Sequence, residues 1–163
     1  MQKKFNGRRI AKKASWSFKH DSEQIFLLLC PTKELDWIEG WENVHTLIYS
    51  DSGIAERSCI FTTDVPGEGH SVWIVSKYSL KKRNVEYVKF LTDKDAVVHW
   101  EMTVVEKETG KCSVEVDYII TGLSDKGNGF VADFEKINLP ALMDRLPKMI
   151  EHYMTTGEKL SLG

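Results

Sequence analysis

Cysteine is scarce in this chain and forms no pattern. Cys30, Cys59 and Cys112 make an odd total with no CxxC pair, which excludes a disulfide framework and a thiolate zinc site as organising devices. Two fall in strand-like patterns and Cys30 closes an apolar helix, as reduced thiols buried in a cytoplasmic protein do. Long apolar runs are also missing. The stretch from Ile25 to Cys30 is far below the ~18–20 residues that span a bilayer, so integral membrane association is not expected. Nor is one charge in excess: Lys plus Arg number 22 against 24 for Asp plus Glu, leaving no global pull toward nucleic acid or an anionic surface. The basic start, MQKKFNGRRIAKK, has neither the apolar stretch nor the small-residue cleavage site of a secretory signal. HExxH and GxSxG are absent, and with them two common signatures of hydrolytic chemistry.

What is present is an ordinary globular mixture, 42% hydrophobic and 28% charged over 163 residues, enough for one domain. Residues 1–163 are read as that single domain, with 1–9 a flexible basic arm. Ala14, Trp16 and Phe18 alternate with polar residues as on a half-buried strand. HDSEQIFLLL then changes period: Asp21 or Ser22 can cap a helix and Gln24 can complete a capping box. Pro31 ends that helix and suits the first turn of a second. From Asn43 onward period-2 patterns return: NVHTLIYS, AERSCIFTTD, SVWIVSKYSL, VEYVKFLTD, AVVHWEMTVVEK and KCSVEVDYIITGL, joined by short polar turns. Connections this short make antiparallel neighbours. Val98, Trp100, Met102 and Val104, with Cys112, Val114, Val116, Tyr118 and Ile120, give the last two strands one apolar face. That face must be covered. The covering segment is C-terminal, where Leu139, Leu142, Met143, Leu146, Met149 and Ile150 recur at helical spacing behind Phe130 and Phe134. Pro140 and Pro147 predict a kinked or two-part helix ending near Gly157. The glycine-rich GLSDKGNGF at 122–130 lacks the Gly-Lys-Ser/Thr ending of a phosphate loop and reads as a plain loop with a helix starting near Asn128.

The order of strand, two short helices, six antiparallel strands and a long terminal helix resembles the helix-grip fold of the START-like, or SRPBCC, superfamily. That superfamily includes Bet v 1-like proteins and polyketide cyclases. IFLLLCPTKELDWIEGWE is similar to the helix–proline–helix segment of uncharacterised bacterial and archaeal members. DYIITGLSDKGNGF resembles their last-strand-to-helix junction, and MTTGEKL their terminal helix end. The resemblance implies an α+β fold with a seven-stranded curved antiparallel sheet, the long helix packed across it, and a cavity between them. It also implies lipid-like, polyketide-like or aromatic ligands. No catalytic set holds across the superfamily, so none is assigned here.

The candidate site follows from this frame. Trp37 and Trp41, four residues apart, either complete the core or close the mouth of a pocket. Replacing Trp41 by alanine is expected to lower stability before ligand retention. The neighbouring acids Asp36, Glu39 and Glu42 are read as a solvated face. Phe61, Trp73, Trp100, Met102 and Tyr118 are expected to face the long helix, with Phe134 opposite, and Tyr118 is the best polar candidate. His45 alternates with Leu47 and Tyr49, so it can point inward as a general base or as a satisfied structural histidine. Neither the basic arm nor the Lys77, Lys81, Lys82 and Arg83 cluster comes with an aromatic platform, so nucleic acid is not an expected partner. The expectation is a cytoplasmic, cofactor-free and metal-free binder of a small hydrophobic or amphipathic ligand, monomeric or homodimeric. The alternatives are a cyclase- or dehydratase-like enzyme using the same cavity, and a protein-interaction domain of the chaperone-cofactor kind.

Overall fold

Short hairpins dictate the architecture. The computed structural model describes residues 1–162 and contains one seven-stranded sheet in the order β1-β7-β6-β5-β4-β3-β2, every neighbouring pair antiparallel. The strands are β1 (Arg9–Phe18), β2 (His45–Tyr49), β3 (Ile60–Val65), β4 (Gly69–Ser79), β5 (Asn84–Leu91), β6 (Ala96–Glu108) and β7 (Lys111–Gly122). Register shifts at 47/49, 75/77 and 106/108 are bulges, which bend strands and increase their twist. The sheet curves around helix α5 (Asn138–Thr156), preceded by α4 (Asp125–Lys136). Its inward residues and the helix's Leu139, Met143, Leu146, Met149 and Ile150 form one buried cluster. This is the α+β helix-grip architecture. Among the described residues no helix is long and apolar enough to cross a membrane.

Several local readings are corrected. Three short helices, not two, follow β1: α1 (Ser22–Leu28), α2 (Glu34–Trp37) and α3 (Trp41–Val44). Asp21 caps α1, accepting from the backbone N–H groups of Glu23 and Gln24. Pro31 lies in a turn, and α2 opens only at Glu34. Gly40, at φ +75°, separates α2 from α3 in a conformation that suits glycine. β1 begins at Arg9, earlier than the alternation suggested, because it pairs with β7 along its whole length. Arg8 just before it is also anchored, its N–H on Asn128 and its guanidinium on Glu135. Residues 55–59 are loop, and β3 starts at Ile60.

The glycine-rich segment is helix from Asp125, not from Asn128. Ser124 caps it by accepting from Gly127 N–H and donates to Asp95. A Cβ on Gly127 would collide with the Asp95 carbonyl, so glycine is there to let α4 sit on the β5–β6 turn. The terminal helix is in two parts, as the prolines suggested, but it breaks at Ile137. Pro140 falls in the first turn of α5, where no N–H is needed. Pro147 is accommodated inside the helix, which ends at Gly157 with φ +74°.

Candidate functional site

Bulky residues at alternating inward positions, met by a helix that does not fill the curve, leave a cavity of about 490 Å³ between sheet and α5. All five tryptophans of the chain line it: Trp16, Trp37, Trp41, Trp73 and Trp100. They come from β1, the α1–α3 segment, β4 and β6, so four separate parts of the chain build one wall. Exposed lining residues (Glu39, Asn43, Pro66, Arg145 and Leu162) mark the mouth.

The tryptophans divide by how their N–H groups are held. Trp37 is 2% exposed and donates to the Leu28 carbonyl at 2.8 Å. Trp73 donates to Thr63 at 2.9 Å. Trp41 is only half-buried, and its Nε1 meets no acceptor in full hydrogen-bond geometry although it lies close enough to Glu34 to lower that carboxyl; Trp100 Nε1 is buried and unpaired. Buried polar groups are usually satisfied, so two indoles without a full hydrogen bond on one cavity stand out.

Six of the expected site residues, Trp37, Trp41, Trp73, Trp100, Met102 and Tyr118, line the cavity. Phe61 and Phe134 do not. Phe61 is a second layer, stacked on Trp73 at 5.2 Å and on His45 at 4.8 Å. Phe134 stacks on Tyr118 at 6.1 Å from the helix side. They support the wall rather than form it. Burial raises the Tyr118 phenol well above its usual range, with the Glu68 charge adding, so it stays a neutral O–H. His45 points inward beside Trp41 and Phe61; burial holds it below the usual histidine range, and its Nε2 has no partner.

Three ionisable residues that the sequence reading passed over complete the site. On β5 the inward positions are Val85, Tyr87, Lys89 and Leu91, a lysine standing where an apolar residue would. Lys89 is 5% exposed, bonds to Glu68 and lies over the Trp73 ring, 4.5 Å from its centroid. Such a placement combines an ion pair with a cation–π contact. Glu34, the first residue of α2, also faces the cavity. Burial pushes its carboxyl up to about 8, against smaller pulls from the Trp41 indole and the Lys89 charge. Glu34 keeps part of its surface accessible and lines the cavity, and the upward shift favours its neutral form at pH 7. Asp36, Glu39 and Glu42 are exposed, as expected. No group of three or more His, Cys, Asp or Glu among the described residues is placed to hold a metal.

No family model and no curated protein matches the chain. Solved structures do. Truncated norcoclaurine synthase from Thalictrum flavum is 13% identical over 97% of this chain and 100% of its own, with TM-score 0.67. DynU16, a putative protein of the dynemicin biosynthetic locus, is 11% identical over 91% of this chain and 48% of its own, at 0.62. Ara h 8.0201 is 9% identical over 93% and 99%, at 0.58. Identities this low speak to the fold alone: the chain has the Bet v 1-like helix-grip fold.

Proposed function

We propose that this protein binds a small amphipathic ligand, aromatic or lipid-like in body, inside the cavity between sheet and α5. The observation that carries the reading is the convergence of all five tryptophans on one space of about 490 Å³, within the range of ligand pockets. Apolar burial supplies the affinity, and Tyr118, Glu34 and the Lys89–Glu68 pair fix the orientation. A norcoclaurine synthase of the same fold has been solved with dopamine and hydroxybenzaldehyde, which shows that the architecture can hold small aromatic molecules. A cytoplasmic setting, with no cofactor or nucleic-acid partner and a monomer or homodimer in solution, belongs to the same reading. Native mass spectrometry of gently purified protein tests it. The expected spectrum shows a bound mass lost on organic extraction; a bare chain that also fails to shift the emission of a hydrophobic dye contradicts it.

One observation favours a second reading, an enzyme of the cyclase or dehydratase kind. An acid raised to about 8 inside an apolar cavity is matched to proton transfer at neutral pH. Turnover abolished by Glu34→Gln with binding retained would select this reading over simple binding.

A further inference from the structure

The cavity contains two pairings of an acid with a tryptophan, and only one has a cation. In the first, Glu68 and the face of Trp73 hold the Lys89 ammonium between them. In the second, Glu34 and Trp41 stand together on the same cavity with no lysine or arginine paired to Glu34 among the described residues. Two carboxyl groups, Glu34 and Glu68, line the cavity with one ammonium, Lys89, and that ammonium is bonded to Glu68. Arg145 lines the cavity from α5 but is exposed at its mouth.

We propose, resting on the binding reading above, that the ligand is an amphipathic amine whose ammonium pairs with the Glu34 carboxylate beside the Trp41 ring. Its body lies against Trp100 and Tyr118. The Lys89 arrangement shows that this cavity can hold an ammonium by the same two kinds of contact. Acid and indole face together recognise a cation more tightly once water is excluded.

Proton linkage follows. The ionisable groups that act on Glu34 or share its cavity are Lys89 and Tyr87 from β5, Glu68 from the β3–β4 hairpin, Tyr118 from β7, and Glu39 and Arg145 at the mouth. Both phenols are held neutral by burial, and Lys89 is matched by Glu68. The proton that leaves when an ammonium arrives is therefore the one on Glu34.

The test uses three probes with one body: 2-(1-naphthyl)ethylamine, the corresponding alcohol, and 1-naphthylpropionate. Energy transfer from the cavity tryptophans reports binding, and calorimetry in buffers of different ionisation heat reports protons. The expected result at pH 7 is amine binding about tenfold tighter than alcohol binding, with about one proton released per amine and affinity rising up to about pH 8. Glu34→Gln should bring amine and alcohol within about twofold and abolish the proton release, while alcohol binding shows that the cavity is intact. Equal binding of amine and alcohol by the native chain overturns the inference and leaves the binding reading standing. So does a preference for the carboxylate, which would assign the polar end to Arg145. An amine preference that survives in the Glu34→Gln variant overturns it too. Binding of none of the three overturns the binding reading and the inference with it.

Discussion

Glu34 and Glu86 are two acids on opposite sides of one sheet, and their surroundings differ as much as surroundings can. Glu86, on the outer face of β5, takes a hydrogen bond from Ser76 at 2.7 Å and ion pairs with Lys77 and His99, each at 3.1 Å. Burial alone would raise its carboxyl; Glu101, Ser76, Lys77 and His99 together bring it down to about 2. For Glu34, inside the curve, burial lifts the carboxyl to about 8 against smaller lowering effects of the Trp41 indole and the Lys89 charge. The outer acid is satisfied by the protein itself. The inner one is left without an ion-pair partner among the described residues, beside a space large enough to admit one. A buried polar group costs stability unless it is paired. An arrangement that keeps such a group beside a cavity is therefore better explained by what enters the cavity than by the needs of the fold.

The strongest way to break this contrast is to remove the part of the inner face that serves as core. Trp37→Ala takes away a buried ring and its bond to Leu28 and should cost about 3–5 kcal/mol in urea denaturation. A loss under about 1 kcal/mol would show that the inner face tolerates vacancy everywhere. Glu34→Gln should do the opposite and stabilise. With a folded value near 8 against an ordinary 4.5, the folded chain holds a proton that the unfolded chain has released. Native stability therefore falls as pH rises from about 4.5 to 8 and is flat beyond. The variant should gain about 3 kcal/mol at pH 8.5 and nothing at pH 4, read from paired melts.

The outer acid has the reverse sign. Its folded value lies below 4.5, so its contribution is full above about pH 4.5 and is lost as pH falls toward 2. Glu86→Gln should cost about 1 kcal/mol at pH 7, because water reaches this face and screens the pairs, and the cost should vanish near pH 2. Trp41→Ala sharpens the contrast within the inner face. Its stability cost should stay near or below about 1 kcal/mol, since the ring is only partly buried at the cavity mouth and its N–H makes no full hydrogen bond. Retention of a naphthyl probe should fall at least severalfold. This reverses the order expected when Trp41 is taken as core.

Much of the frame was legible because period-2 alternation records which face a residue takes. Trp100, Met102 and Tyr118 were placed inward on that basis, and they line the cavity. Alternation says nothing of depth, which is why Phe61 shares the inward phase yet lies behind the wall, and the helical spacing that placed Phe134 opposite the sheet is equally silent on depth. Lys89 carried a readable signal, a charge in phase with Val85, Tyr87 and Leu91. Glu34 carried none. It opens a helix of only four residues, too short for a periodicity to assign a face, and it sits among acids that do point to water. The helix start at Asp125 was obscured by Gly127 and Gly129, which read as loop residues until the close approach to Asp95 is seen.

The central claim is that the cavity is built around an acid without an ion-pair partner, and the Glu34 carboxyl reports on it directly. Its side-chain carbon can be followed by ¹³C NMR in ligand-free protein from pH 3 to 10, with Glu34→Gln giving the assignment. The account predicts a Glu34 resonance that titrates near 8. A midpoint near the ordinary 4.5 would mean that Glu34 is solvated or paired, and the account would be contradicted.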